Sequence, residues 1–573
     1  MGRRLPAAAA GLAAPPPALK VEAIEVTQAV QDLAHSIPLI ADRRTAVRVY
    51  VSLANGSGPL PARGVIAVRV PQAPGVVRVP SFGATTLDPA RGVDEQRRDA
   101  SASLNFVLPP SVTGAGSIDL ELEEAMVGTH RVTPDPASSS VTVQLVPGPA
   151  LRVALVGVRY TQNGTAHEPS ELDFALIESW LRRAYPAREL IVSRRVVPAS
   201  WSPPMTCNRV NAELSSIRAQ DVSAGQDRRT HYYGVVSDGG GFMRGCASGI
   251  PASADPTVVA SGPAGSADFG WDHDGSYADW YCGHELGHTF GRMHPGFCGQ
   301  TSDDPAYPYA HGRIGDAQDD YVGFDLGDAA LGLPMRAYPW KRWHDVMTYC
   351  DQQWLGPYTY REIQGRLMDE EKIAPAPAAA AGLAAGPGAQ RLLHAVAEVD
   401  LTANTADFVS VHPVDAGTPN PAASSPLSIR VLDAGGQPLG SWPVEFRRSS
   451  CWEPGDDEVG LVDVLLAVDP GVRALELLHD GTVLATFGAV PGAGLAAPGG
   501  LPKRYTVQVS TDGGQTFLTL AVDLAAPALA IDPSPYASRA DVVVRVLETD
   551  GFEASVTDHV VAVDDLPTFD GAP

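Results

Sequence analysis

The sequence predicts a multidomain protein in which an α/β unit stands between all-β sandwich domains. Three observations carry that reading. At 573 residues the chain is too long for one hydrophobic core, so several domains are required. Both ends of the chain consist of short runs that alternate apolar and polar residues between turn clusters. Between them a nearly continuous apolar strand, a helix and a second strand follow with short joints, the order of a βαβ unit and hence of a parallel sheet.

Residues 1–20, MGRRLPAAAAGLAAPPPALK, have a weak, proline-rich apolar stretch and read as a disordered tail or a weak leader. Residues 21–148 form the first predicted β-sandwich. VEAIEV and TAVRVYV alternate, with Val47, Val49 and Val51 on one face, and NGSGPLP marks a turn. The α/β unit spans 150–373. Its first strand is LRVALVGV. A helix follows with Leu172, Leu176, Ile177, Trp180, Leu181 and Ala184 at helical spacing, entered through Ser170 as N-cap. ELIVSRRVV, HYYGVV (231–236) and TVVA (257–260) extend the sheet, and the intervening DGGGFMRGCASGIP is long enough for an edge strand. Residues 374–390, rich in Ala, Pro and Gly, read as a linker. LSIRVLD, LVDVLLAV and VRALELL place a second sandwich at 391–492. After the Pro/Gly stretch VPGAGLAAPGGLP, residues 500–573 carry a hairpin signal, TDGGQT between YTVQVS and FLTLAV, followed by DVVVRVLE. This last unit resembles a fibronectin type III-like sandwich.

A net charge of −24 disfavours nucleic acid or an anionic membrane as partner. No apolar run approaches the roughly 18 residues that cross a bilayer. These features fit a protein working outside the cell or at its surface, without a transmembrane segment, and we expect a monomer. Six cysteines, Cys207, Cys246, Cys282, Cys298, Cys350 and Cys451, lack any paired CxxC pattern of structural zinc and are compatible with disulfides.

The chemistry is concentrated in HELGHTFGRMH. His284 and His288, four apart, lie on one helix face and can grip one ion. Glu285 lies about 100° round the helix, beside the metal and outside its coordination shell, where a general base belongs. Gly291 can take the left-handed conformation that ends a helix, and the turn brings His294 back as third ligand. Five fixed letters of this kind arise by chance on the order of once in ten thousand such sequences, which disfavours an accidental helix with solvated histidines.

The pattern HExxHxxGxxH, followed downstream by WHDVMTYC, resembles the metzincin clan of zinc metallopeptidases over roughly residues 150–370. The resemblance implies a twisted mixed sheet with an active-site helix, and one catalytic zinc on His284, His288 and His294. It makes Met347 the Met-turn methionine beneath the imidazoles. Tyr349 matches the tyrosine of the astacin-like and serralysin-like branches, which stabilises the oxyanion there. It also implies a substrate-binding edge strand, here Gly245, Cys246, Ala247, Ser248 and Gly249. The loops after the third histidine and after the Met-turn should lie close together, so Cys298–Cys350 is the first expected disulfide.

Other candidates are weaker. Cys282 falls on the opposite helix face from His284 and reads as a buried thiol or a disulfide half. His273, His311 and His344 read as surface or structural residues. Asp303, Asp304, Asp316, Asp319 and Asp320 make an acidic loop in which calcium is conceivable, yet the oxygen spacing fits no EF-hand and a solvated loop is the simpler reading. The expected activity is zinc-dependent hydrolysis of peptide bonds in protein or glycoprotein substrates, with Glu285 as general base. The competing expectation is a catalytically weak, zinc-containing adhesin or a glycan- or protein-binding surface protein. An intact Glu285 argues against it.

Overall fold

The computed structural model describes residues 18–54, 58–71, 75–83, 85–135, 137–266, 271–299, 304–375, 391–488 and 501–571. Residues 1–17 of the predicted tail or leader, 55–57 of the NGSGPLP turn, 376–390 of the linker, 489–492 of the predicted second sandwich, 490–500 of the second Pro/Gly stretch and Asp303 lie outside the described residues. The protein is multidomain and mostly β, with few helices. It divides into two compact units.

The first unit comprises the described residues of Met1–Gly148, Arg313–Trp343 and Leu355–Pro357. Ala18–Thr27, Ala46–Ala54 and Leu104–Val107 form an antiparallel three-stranded sheet. A larger sheet runs in the order Leu39–Ile40, Ser140–Val146, Gly116–Val127, Leu60–Arg69, Val77–Pro80. Val47, Val49 and Val51 from the first sheet and Ile118, Leu120 and Leu122 from the second share one core, so alternation along the strands produces a sandwich.

The opposite face of the smaller sheet is buried as well, for Arg48 and Tyr50 are each 0% exposed. Its cover is Arg313–Trp343, which the sequence reading assigned to the α/β unit. Val322–Asp325 pairs with Arg336–Pro339 and with Val30–Gln31, and the Phe324 ring lies 4.5 Å from the Arg48 guanidinium. Arg97 bridges Glu25 at 3.2 Å and Asp320 at 2.7 Å. Buried charges persist only when paired in this way, a long-range constraint that hydrophobic periodicity does not reveal.

The second unit comprises the described residues of Pro149–Gly312, His344–Trp354 and Tyr358–Pro573. Ala150–Gln162 is the central strand of a mixed sheet, parallel to Glu189–Pro198 on one side and to His231–Ser237 on the other. Ala260–Ala264 continues the sheet in parallel, and Cys246–Ala247 closes it antiparallel. The expected TVVA strand therefore begins only at Ala260. Helix Glu171–Ala184 is entered through a capping box between Ser170 and Asp173, and it buries the predicted apolar positions except Leu172, which is 43% exposed.

Sequence periodicity does not reveal helix Cys207–Ser223. Its residues are buried nearly all round, including Asn211, Ser215, Ser216 and Asp221, so no amphipathic stripe exists to be read. Asp221 explains the burial. It accepts from Arg195 at 2.5 Å, from the Tyr232 hydroxyl at 2.7 Å and from the Thr519 amide at 2.6 Å. One carboxylate thus ties the helix to the mixed sheet and to the last β unit.

Downstream, the sheets Thr405–Val414, Arg391–Asp400, Val459–Val468, Arg447–Arg448 and Pro438–Pro443, Leu427–Leu432, Ala474–His479, Thr482–Gly488 enclose a common core. The last unit departs from the expected two-sheet sandwich. Its described strands, Leu518–Leu524, Arg504–Ser510, Asp541–Thr549 and Ala554–Ala562, make a single sheet. The apolar face is covered instead by Ile531, Val563, Leu566 and Phe569. Pro527, Pro533 and Pro535 lack the N–H that a second sheet would need in this stretch. Among the described residues no helix is long and apolar enough to cross a membrane.

Burial gives Glu213 an acid-linked stability term. It is 4% exposed, its Oε2 accepts from the Ser200 amide and hydroxyl, and its Oε1 has no hydrogen-bond partner among the described residues. Burial pushes its carboxyl up from 4.5 to about 7. The folded chain holds this proton to higher pH than the unfolded chain, so the carboxylate destabilises the fold increasingly as pH rises from 4.5 through 7. Glu213→Gln should therefore stabilise the protein by about 1–3 kcal/mol at pH 8 and have little effect at pH 4.5. Calorimetric melts at both pH values check this, and an equal effect at the two contradicts it.

Candidate metal centre

Helix Ala278–Thr289 carries His284, Glu285 and His288, and every residue from Cys282 to Thr289 is buried. Two aromatic side chains set its position. The Tyr185 hydroxyl donates to the Gly283 carbonyl at 2.7 Å, and Trp180 packs so closely on Gly283 that a Cβ there would collide with its ring. His231, fully buried, bonds Glu370 at 3.0 Å and the Thr289 hydroxyl at 3.0 Å, fixing the C-terminal end.

The helix stops where Gly291 enters the left-handed region at φ +77°. Its amide returns to the His288 carbonyl at 2.8 Å, and the Arg292 amide to the Gly287 carbonyl at 3.0 Å. This turn delivers His294 to the two helix histidines. The Nε2 atoms of His284 and His294 are 3.2 Å apart, as are those of His288 and His284.

The tautomers follow from what faces the other ring nitrogens. His284 Nδ1 lies 2.7 Å from the Val346 carbonyl, and His288 Nδ1 lies 2.7 Å from the Arg292 carbonyl. A carbonyl only accepts, so both Nδ1 atoms carry the hydrogen and both Nε2 atoms present lone pairs. Two lone pairs facing each other at 3.2 Å have no proton between them. The donor set suits a cation, and all three imidazoles offer ligand atoms within 4.8 Å of one another. Burial pushes His284 down to about 4 and His294 down to about 3, which keeps the rings neutral as ligands.

Glu285 is 4% exposed. Burial pushes its carboxyl up to about 8, opposed by the Ser450 hydroxyl and by Arg244. Met347 is 1% exposed, and its sulfur lies against Gly287, where a side chain would collide with it. The Tyr349 ring, 44% exposed, sits 5.5 Å from that of His284 and 4.9 Å from that of His294. Trp271, Trp280, Tyr281 and Tyr349 line a cavity of about 180 Å³ that opens onto His284 and Glu285.

Of the predicted edge residues, only Cys246 and Ala247 are in strand conformation; Gly245, Ser248 and Gly249 flank them. Cys298 and Cys350 are disulfide-bonded, as expected. A second disulfide, Cys207–Cys246, was not foreseen; it ties helix Cys207–Ser223 to the edge strand. Cys282 is a buried free thiol.

His273, His311 and His344 stand outside the histidine cluster. No described carboxylate of the acidic loop belongs to a cluster that could hold a cation. Asp304 accepts from the Tyr358 hydroxyl at 3.0 Å, Asp316 from the amides of Gln318 and Asp319, and Asp320 from Arg97 and Trp340. The carboxylates that do converge are Asp272, Asp274 and Asp279, upstream of the helix.

Sequence reading also missed Ser450, whose hydroxyl lies 3.5 Å from Glu285 Oε2. No local signal marks it, because its partners are distant in sequence. No family model matches the chain, and no curated protein matches it significantly.

Gly291→Ala should weaken zinc binding at least about tenfold, because φ +77° is strained for alanine and its Cβ would meet the Pro251 carbonyl at 2.6 Å. Competition titration of zinc against a chromogenic chelator checks this. Unchanged affinity in a folded variant contradicts the role assigned to the turn.

Proposed function

We propose that this chain is a zinc-dependent endopeptidase of the metzincin type. The observation that carries the proposal is the convergence of three buried imidazoles, two from one helix and one from beyond the turn that ends it, beside the buried carboxyl of that helix. His284, His288 and His294 would hold the metal. Zinc bound there acidifies water and polarises a carbonyl oxygen. The remaining steps belong to side chains. Glu285 accepts a proton from the attacking water and returns it to the leaving amine. The Tyr349 phenol, beside the imidazoles and open to the cleft, donates to the oxygen of the attacked carbonyl. Met347 gives the rings an apolar floor.

The mixed sheet and its antiparallel edge support the same reading, since an extended protein or glycoprotein substrate pairs naturally with an edge strand. Two disulfides agree with work in an oxidising compartment outside the cell or at its surface. We place a secreted monomer there.

Glu285→Gln should bind zinc with wild-type stoichiometry and lose at least about a hundredfold in casein hydrolysis. Elemental analysis and a fluorescent casein assay, with and without chelator, check both halves. Full activity in the variant refutes the assignment.

A further inference from the structure

The edge strand that the proposed peptidase offers to substrate already has a partner. Along Cys246–Ala247 the backbone groups alternate in direction. The Ser248 amide donates inward to the Val259 carbonyl at 2.8 Å. Ala247 faces the other way. Its amide donates to the Ser450 hydroxyl at 2.8 Å, and its carbonyl accepts from the Ser450 amide at 3.0 Å. An incoming peptide would use this same donor and acceptor.

The segment around Ser450 comes from the sandwich that follows the catalytic region, just past its strand Arg447–Arg448. Contacts on both sides hold it over the site. Arg447 reaches Asp255 at 3.1 Å and the Thr257 hydroxyl at 3.0 Å. Arg244 donates to the Cys451 carbonyl. The Ser450 hydroxyl also lies 3.5 Å from Glu285 Oε2, so one side chain meets both the substrate edge and the proposed base. Ser450 is 6% exposed and Glu285 4%, which leaves little room for a peptide between them.

We infer that Arg447–Cys451 is an intramolecular occupant of the substrate cleft and holds the enzyme latent. The inference rests on the peptidase reading and adds its regulation. The hold consists of a few hydrogen bonds of the type a substrate strand reproduces, so displacement needs no covalent change. Latency then resides in the sandwich that follows the catalytic region.

Ser450→Pro removes the amide and the hydroxyl that engage Ala247, and Ser450→Ala removes the hydroxyl alone. Both would be made in the full chain, loaded with zinc and compared with wild type by casein hydrolysis and by hydrogen exchange at the Ala247 amide. The expected result for Ser450→Pro is at least tenfold faster exchange at Ala247 and at least tenfold higher kcat/KM. Ser450→Ala moves both in the same direction by a smaller factor, and it carries the test if the proline variant does not fold. Unchanged exchange overturns the inference. Faster exchange with unchanged or lower hydrolysis also overturns it, while Glu285-dependent wild-type activity leaves the peptidase reading standing. No hydrolysis by any zinc-loaded form overturns the peptidase reading, and the inference falls with it.

Discussion

Two backbone carbonyls, those of Val346 and Arg292, set the terms for the proposed centre. Each takes the Nδ1 hydrogen of one helix histidine and so turns an Nε2 lone pair toward the same point. Their own positions depend on structure further out. The Val346 carbonyl belongs to the turn that carries Met347, where Asp345 accepts from the Met347 amide at 2.9 Å and Cys298–Cys350 closes the loop. The Arg292 carbonyl belongs to the turn that Gly291 permits. Were either carbonyl displaced, the imidazoles would be free to take the other tautomer, and the cluster would lose its common focus.

The cost of this arrangement appears in the surroundings. Three neutral imidazoles and a carboxyl are withdrawn from water, which is unfavourable unless each has a defined partner. Tyr185 and Trp180 fix the helix through Gly283, and His231 with Glu370 fixes its far end. Glu285 has the Ser450 hydroxyl 3.5 Å away and the Ala247 amide and Arg244 as further favourable neighbours. Burial raises its proton affinity in spite of these neighbours, which suits a carboxyl that passes a proton rather than one fixed in an ion pair.

Much of the site was legible because its logic is local. The spacing of His284, Glu285 and His288 is a helical fact, and the left-handed preference of Gly291 is a property of one residue. The N-cap at Ser170 and the valine alternation at 47–51 are equally short-range. What escaped the sequence depends on contacts between distant segments. Helix Cys207–Ser223 is packed on all sides, which erases the polar stripe that marks a surface helix. Arg313–Trp343 joins the first unit through the buried charges of Glu25, Arg48 and Arg97, whose partners are far apart in the chain. The last unit closes its core with proline-punctuated segments where the fibronectin type III-like resemblance implied a second sheet. Ser450 and the Cys207–Cys246 bond have the same origin.

Whether the histidine cluster is a metal centre is decided most directly by X-ray absorption at the zinc K-edge on the zinc-loaded full chain. One zinc per chain is predicted, with three imidazole nitrogens in a light-atom shell at about 2.0–2.1 Å and one imidazole fewer in His294→Gln. A sulfur shell at about 2.3 Å, or fewer than three imidazoles in the unsubstituted protein, would contradict it.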